Sequence, residues 1–244
     1  MQSAIRRSTF VERIENLLDH VEYRRADSPE EKAAIFRMRH EAYTHNGTIA
    51  PRPSGLFHDE YDESPNAWLI GAFIDGELAS SIRLHASASL EAALPARMVF
   101  SDVIEPHLRQ ARGFIDLSRH VNVLEFSRRF PEMPYLTLRS GFLAEEYFGA
   151  DYVLGAQRPE HARAFQRMFG VQKWADAREY PVLRVLMPLM AYDCKASRNQ
   201  THERYPFYRS SQSEQRRLFE RSSNGVAFAR NAFVEQKKRE EAKL

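Results

Sequence analysis

The 244-residue sequence holds one cysteine, two tryptophans and ten glycines. A single thiol, Cys194, excludes an internal disulfide and fits a reducing compartment. With no nucleophile–base pair in view around it, a buried free thiol is its expected role. Long apolar runs are also missing. No window approaches the roughly 18 consecutive apolar residues of a membrane span, and the opening MQSAIRRSTFVERIENLLDH lacks the apolar stretch of a secretory signal. Charge of one sign is scarce: 35 basic against 33 acidic residues leave a net +2, so nothing draws the whole chain to nucleic acid or a membrane surface. A cytoplasmic protein is expected.

Several motifs are absent. There is no phosphate-binding GxxxxGK[ST], no GxGxxG after a strand, no HExxH, no paired CxxC and no GxSxG elbow. The nine histidines stand singly, none paired at metal-ligand spacing, so no metal site is expected.

What is present reads as a mixed α/β domain. Residues 1–20 pattern as an amphipathic helical extension, and 21–26 as a short strand. Ser28-Pro-Glu-Glu has the signature of a helix start, with Ser28 as N-cap and Glu31 closing a capping box. That helix is expected to run to Tyr43, followed by an irregular loop to Pro65. Residues 67–86 read as a hairpin about Asp75-Gly76. A helix ending at Gly149, a strand over 151–157, a helix over 159–170 and a strand over 180–193 follow. The segment 195–225 is polar and basic, and the charged tail over 221–244 reads as a solvated helix rather than a nucleic-acid arm. The domain proper is expected over 21–220.

One stretch is out of character. FIDLSRHV (114–121) has a strand's alternation, yet carries Asp116, Ser118, Arg119 and His120. Period-two alternation puts Asp116, Ser118 and His120 on one face, with Arg119 opposite unless a bulge re-aims it. Further charges stand at helix exits and strand centres: Arg39 and Tyr43 on one helix face, Asp59, Tyr61 and Asp62 in the loop, and Arg83 in a hairpin strand. Taken together they point to a polar cleft.

LRSGFLAEEYFGADYVLGAQRPEHARAFQRMFG and RYPFYRSSQSEQRRLF, with Asp116-Leu-Ser-Arg-His120, Pro134-Tyr-Leu-Thr-Leu-Arg139, Arg158-Pro-Glu160-His161 and Arg204-Tyr-Pro-Phe207, resemble the FeeM-type N-acyl amino acid synthases. More distantly, Met38-Arg39-x3-Tyr43, Asp59-x2-Asp62, Arg83 and Asp116 to His120 resemble acyl-homoserine-lactone synthases. His120 departs from both, which carry phenylalanine there.

The resemblance implies a GNAT-like acyltransferase fold, a central mixed twisted sheet flanked by helices. It also implies transfer of a long acyl group from an acyl carrier protein thioester to an amino acid's α-amine. Asp116, Arg119 and Glu160 are then the expected catalytic residues. Arg39, Tyr43, Asp59, Tyr61, Asp62, Arg83, His120 and His161 would bind substrate, with Arg39 and Arg83 as holders of its carboxylate and the Asp59–Asp62 loop as a lid. The glycine-rich pyrophosphate turn of coenzyme A enzymes is replaced by Arg128-Arg-Phe-Pro-Glu-Met-Pro. That favours acyl-phosphopantetheine on a carrier, bound by Arg128, Arg129 and Arg139, and leaves acyl-coenzyme A open as donor. Leu136, Leu138, Phe142 and Tyr147 are the expected acyl pocket. An acyl-homoserine-lactone synthase and a catalytically silent carrier-binding protein are the alternatives.

Overall fold

The computed structural model describes residues 8–180, 183 and 185–221, with the single positions 234, 235, 238 and 242. The expected helical tail over 221–244 falls outside the described residues apart from Arg221 and those positions, as do the first seven residues of the N-terminal extension.

Local sequence signals account for much of the chain. In helix α1 (Phe10–Leu18), Thr9 and Glu12 form a capping box, and Ile14 is buried in the main core. Strand β1 (Val21–Arg25) leads to helix α2 (Pro29–His45). Ser28 Oγ accepts the N–H of Glu31 at 3.2 Å and Glu31 Oε2 accepts that of Ser28 at 3.0 Å, which satisfies two donors at the helix start. The loop after α2 contains one 3-10 turn, Glu60–Glu63. Strands β2 (Ala67–Ile74) and β3 (Glu77–Ser87) form the hairpin. Asp75 and Gly76 have φ of 51° and 88°, the left-handed pair a tight hairpin turn needs.

Helix α3 (Arg97–Leu108), strand β4 (Phe114–Asn122), helices α4 (Leu124–Arg129) and α5 (Met133–Phe148), strand β5 (Tyr152–Ala156) and helix α6 (Pro159–Phe169) follow. Then come β6 (Gln172–Tyr180), β7 (Val185–Asp193), α7 (Cys194–Arg204) and α8 (Gln212–Phe219). The expected strand over 180–193 is therefore the end of one strand and the whole of another. β6 carries no apolar run and half of it is exposed; pairing with β7 makes it a strand. The polar segment after residue 195 is largely helical for a similar reason. Leu218 and Phe219 of α8 are buried, Phe219 against Trp68 and Phe148, which holds a segment of low intrinsic apolarity in place.

The seven strands lie in the order β1-β2-β3-β4-β5-β7-β6. All neighbours are antiparallel except β4 and β5. α5 covers one face, packing Leu136, Leu143 and Phe148 on Ile70, Ile82 and Ile115. Gly141 permits the close approach, since a Cβ there would meet Leu117 Cδ1 at 3.0 Å. The other face is covered by α2, the 3-10 turn and α3. Among the described residues, no helix is long and apolar enough to cross a membrane.

Candidate active site

The charged residues that crowd FIDLSRHV meet partners on the face under α2. Arg39 of α2 donates from Nη1 to Asp62 at 2.7 Å. Arg83 of β3 bonds Asp59, lies 3.1 Å from Asp62 and donates from Nε to Ser118 Oγ at 3.1 Å. Arg119 closes the cluster, donating from Nε and Nη2 to Asp59 at 3.2 and 2.6 Å. Burial works against ionising Asp59 and Asp62, but the neighbouring guanidiniums outweigh it and hold both carboxyls below their usual range. Three cations against two anions leave the cluster net positive. Among the described residues, Nε and Nη2 of Arg39 have no acceptor.

Arg119 reaches Asp59 because β4 bulges. Between the pairs Ser81–Val121 and Arg83–Ser118, β3 advances two residues and β4 three. Arg119 absorbs the extra residue at φ 55°, a left-handed conformation that costs a non-glycine residue about 1–2 kcal/mol. The bulge inverts the alternation beyond it. Ser118 stays on the cluster's face and Arg119 joins it. His120 moves instead with Asn122 toward α5, where its Nε2 lies 3.2 Å from Asn122 Oδ1, and Asn122 Oδ1 is 3.1 Å from Thr137 Oγ1. The expected grouping of Asp116, Ser118 and His120 on one face therefore does not hold.

β4 and β5 pair only from Phe114–Tyr152 to Leu117–Gly155, and then diverge. A cleft of about 1130 Å³ opens in the gap. One wall is β4 from Leu117 to Val123 and the other is β5 from Val153 into Arg158. The end of α2 brings Tyr43 and His45 to it, and the turn after α2 brings Thr48. Its apolar reach is formed by Leu138, Phe142, Phe165, Met168, Phe169 and Met190.

Of the expected site residues, Tyr43, Arg119, His120, His161, Leu138 and Phe142 line this cleft. The others lie elsewhere, each for a visible reason. Arg39 and Arg83 are fully buried in the ion-pair cluster and do not reach the cleft to hold a carboxylate. Asp59, Tyr61 and Asp62 are no loose lid: Asp59 and Asp62 are bonded as above, and the Tyr61 carbonyl lies 3.0 Å from His85 Nε2.

Asp116 is 1% exposed and accepts the N–H of Ala96, before α3, at 2.7 Å. Burial raises its carboxyl to about 6, and the side chain is absent from the cleft wall. It ties the start of α3 to the sheet. Glu160 points outward, its side chain 59% exposed and 3.9 Å from Arg158. Leu136 and Tyr147 belong to the core. Arg139 is spent internally on Glu214 and on the carbonyls of Phe207 and Arg209, so it is not free for a phosphate. Arg128 and Arg129 are exposed in the last turn of α4, not at the start of α5.

Sequence reasoning missed Asn122, Thr48 and Arg158 as site residues, although Arg158 Nη2 donates to Thr48 Oγ1 at 2.6 Å beside the cleft. It also missed Phe165, Met168 and Phe169, whose spacing on strongly amphipathic α6 was the available signal. Among the described residues, no group of three metal-binding side chains forms.

A sequence model of one protein family, described as N-acyl amino acid synthase FeeM, matches residues 34–193. No curated protein matches at a significant level. Among solved structures, FeeM itself, an N-acyl amino acid synthase from uncultured soil microbes, superposes with a TM-score of 0.60 at 16% identity, covering 74% of this chain and 95% of that one. The coenzyme A-dependent acyl-homoserine lactone synthase BjaI, solved with SAM and isopentyl-CoA, gives 0.53 at 19% identity over 77% and 89%. An acyl-CoA N-acyltransferase from Pseudomonas aeruginosa gives 0.50 at 15% identity over 70% and 97%. At these identities the superpositions speak for the fold, which is that of the GNAT acyltransferases.

Proposed function

Because the chain belongs to the family of the N-acyl amino acid synthase FeeM, and is an N-acyltransferase, we propose that it moves a long acyl group from an acyl carrier protein thioester to the α-amine of an amino acid. The observation that carries this reading is the cleft between the diverging β4 and β5, lined both by apolar side chains of α5 and α6 and by Arg119. The acyl chain lies against Phe142, Phe165, Met168 and Phe169. Asp59 occupies Nε and Nη2 of Arg119; Nη1 is left to receive the amino acid's carboxylate, a charge-assisted contact that the net positive cluster behind it reinforces. Tyr43 stands on the same wall.

The chemistry needs an electrophilic carbonyl and a donor for its developing oxyanion. β4 pairs with β5 only as far as Leu117, so beyond it the β4 backbone N–H groups on that side have lost their ladder partners. They are fixed dipoles aimed into the gap, the kind of donor that stabilises an oxyanion without reorganising. The amine nitrogen then attacks the carbonyl carbon, and the carbon–sulfur bond breaks to release the carrier's thiol.

Arg128 and Arg129, exposed at the end of the helix whose Leu124, Glu125 and Ser127 line the cleft, are placed to meet an acidic carrier and its phosphate. We assign the reaction to the cytoplasm, where charged carrier is made and the lone thiol Cys194 stays reduced.

Lipid mass spectrometry on a bacterial host expressing the protein tests the reading. New masses equal to a fatty acid plus an amino acid less water are expected, and their absence overturns it. Acyl-lactone masses would transfer the protein to the homoserine-lactone synthases. With purified components, charge reversal of Arg128 and Arg129 raises the KM for acylated carrier several-fold and weakens its salt dependence, whereas unchanged kinetics exclude this docking face.

A further inference from the structure

We propose that His120 accepts the proton of the attacking amine, making it a catalytic residue. The proposal rests on the acyltransferase reading above and adds the group that reading leaves unnamed. His120 lines the cleft just beyond the last β4–β5 pair, beside the backbone donors assigned to the oxyanion. The bulge at Arg119 turns its ring there.

The ring is held, not loose. Asn122 Oδ1, an amide oxygen that can only accept, lies 3.2 Å from its Nε2. An oxygen acting as acceptor calls for the Nε2–H tautomer, which leaves the lone pair on Nδ1. Burial keeps the imidazole neutral, its pKa lowered to about 4, so the lone pair is available at neutral pH.

The other acceptors are less well placed. Asp116 is buried under α3 and bonded to Ala96, and Glu160 faces solvent. His40 already receives the Arg52 N–H at 2.9 Å. Glu41, His45 and Glu125 are exposed at the rim of the cleft. His161 of α6 lines the same cleft and is exposed, which gives a way out for protons.

The balance is complete without another reactant. An amino acid entering as its ammonium sheds two protons. The first passes through His120 to His161 and solvent, freeing the nitrogen lone pair. The second passes to His120 Nδ1 as the nitrogen–carbon bond forms, and then to the thiolate released when the carbon–sulfur bond breaks. The products are a neutral amide and a thiol.

The test uses the full chain, hexadecanoyl acyl carrier protein and an equimolar mixture of the twenty protein amino acids. His120→Phe keeps an aromatic ring and removes the acceptor; His120→Ala leaves space for free imidazole. Both are expected to lose about 10²- to 10³-fold in kcat. Added imidazole restores part of the His120→Ala rate and none of the His120→Phe rate. Hydroxylamine, a nucleophile neutral at the assay pH, is acylated by both variants at rates much nearer to wild type. A His120→Phe rate within a few-fold of wild type overturns the proposal. So does a His120→Ala loss that imidazole leaves unchanged and hydroxylamine shares in full, which is the pattern of a structural role. Absence of any N-acyl product from wild type would instead overturn the acyltransferase reading itself, and this proposal with it.

Discussion

Asp59 and Arg119 stand sixty residues apart in the chain and are joined by two hydrogen bonds to one carboxylate oxygen, at 3.2 and 2.6 Å. The pair fastens the long loop after α2 to the bulge of β4. It also fixes the guanidinium against the Phe57 ring, 5.1 Å from its centroid, at the wall of the cleft.

Arg119→Met should therefore raise the KM for the amino acid by about 10- to 100-fold, the loss expected for a hydrogen bond between charged groups. The KM for the acyl donor should change little. Arg119→Lys should recover only part of the loss, because an ammonium cannot hold Asp59 and a substrate carboxylate in one plane. Steady-state kinetics with each substrate varied in turn decides it. A rise confined to the donor would remove Arg119 from the amino acid site.

The Arg39–Asp62 pair is fully buried, at 2.7 Å. Arg39→Met leaves Asp62 with Arg83 and the Asp59 N–H and is expected to cost about 3–5 kcal/mol, the usual penalty for breaking a buried pair. Removing both charges, as Arg39→Met with Asp62→Leu, should cost clearly less than the two single changes added together. A double-mutant cycle by urea denaturation measures the difference; strict additivity would mean the pair contributes nothing as a pair.

The carboxyl of Asp116 titrates near 6 in the folded chain, raised by burial from an ordinary 3.8. A group whose folded pKa is raised favours folding below its unfolded pKa and loses that advantage as pH climbs through the folded value. Relative to wild type, Asp116→Asn should thus gain about 3 kcal/mol between pH 4 and 7. His85, lowered to about 3 mainly by burial, contributes the opposite slope, losing stability as pH falls below 6.5. It does so in both proteins, so the difference curve isolates Asp116. Denaturation at a series of pH values gives that curve, and a flat one would show that Asp116 stays charged in the fold.

Phe142 lines the apolar part of the cleft and is backed by Tyr208, stacked at 4.1 Å between ring centroids. Phe142→Ala should shift the product distribution toward longer acyl chains, since each further methylene buried is worth about 0.8 kcal/mol. The stability cost should fall near the lower end of about 3–5 kcal/mol, because one side of the ring already faces a cavity. Product mass spectra read the shift. An unchanged distribution would place the end of the acyl chain elsewhere.

Whatever depended on neighbours in sequence was legible without the structure. Ser28 and Glu31 cap α2 because the partners lie three residues apart, and Asp75-Gly76 turns the hairpin because those two residues tolerate positive φ. Gly149 and Gly170 end α5 and α6 in the left-handed conformation for the same kind of reason. The family likeness was legible too, through four ordered motifs, and with it the fold.

What depended on residues far apart was decided only by tertiary packing. Gln172–Tyr180 is a strand because β7 lies beside it, not because its charged sequence asks to be one. Arg139 resembles a phosphate ligand in a motif, yet Glu214 and two carbonyls from α8 and the turn before it consume its donors. Asp116, Ser118 and His120 share one face under strict alternation, but one inserted residue at Arg119 separates them, because side-chain direction in a strand repeats every two residues and a single insertion reverses everything beyond it. The sequence by itself determined which charged residues would have to be satisfied inside this protein. The register of β4 against β3, and its divergence from β5, decided which of them are satisfied by one another and which line the cleft.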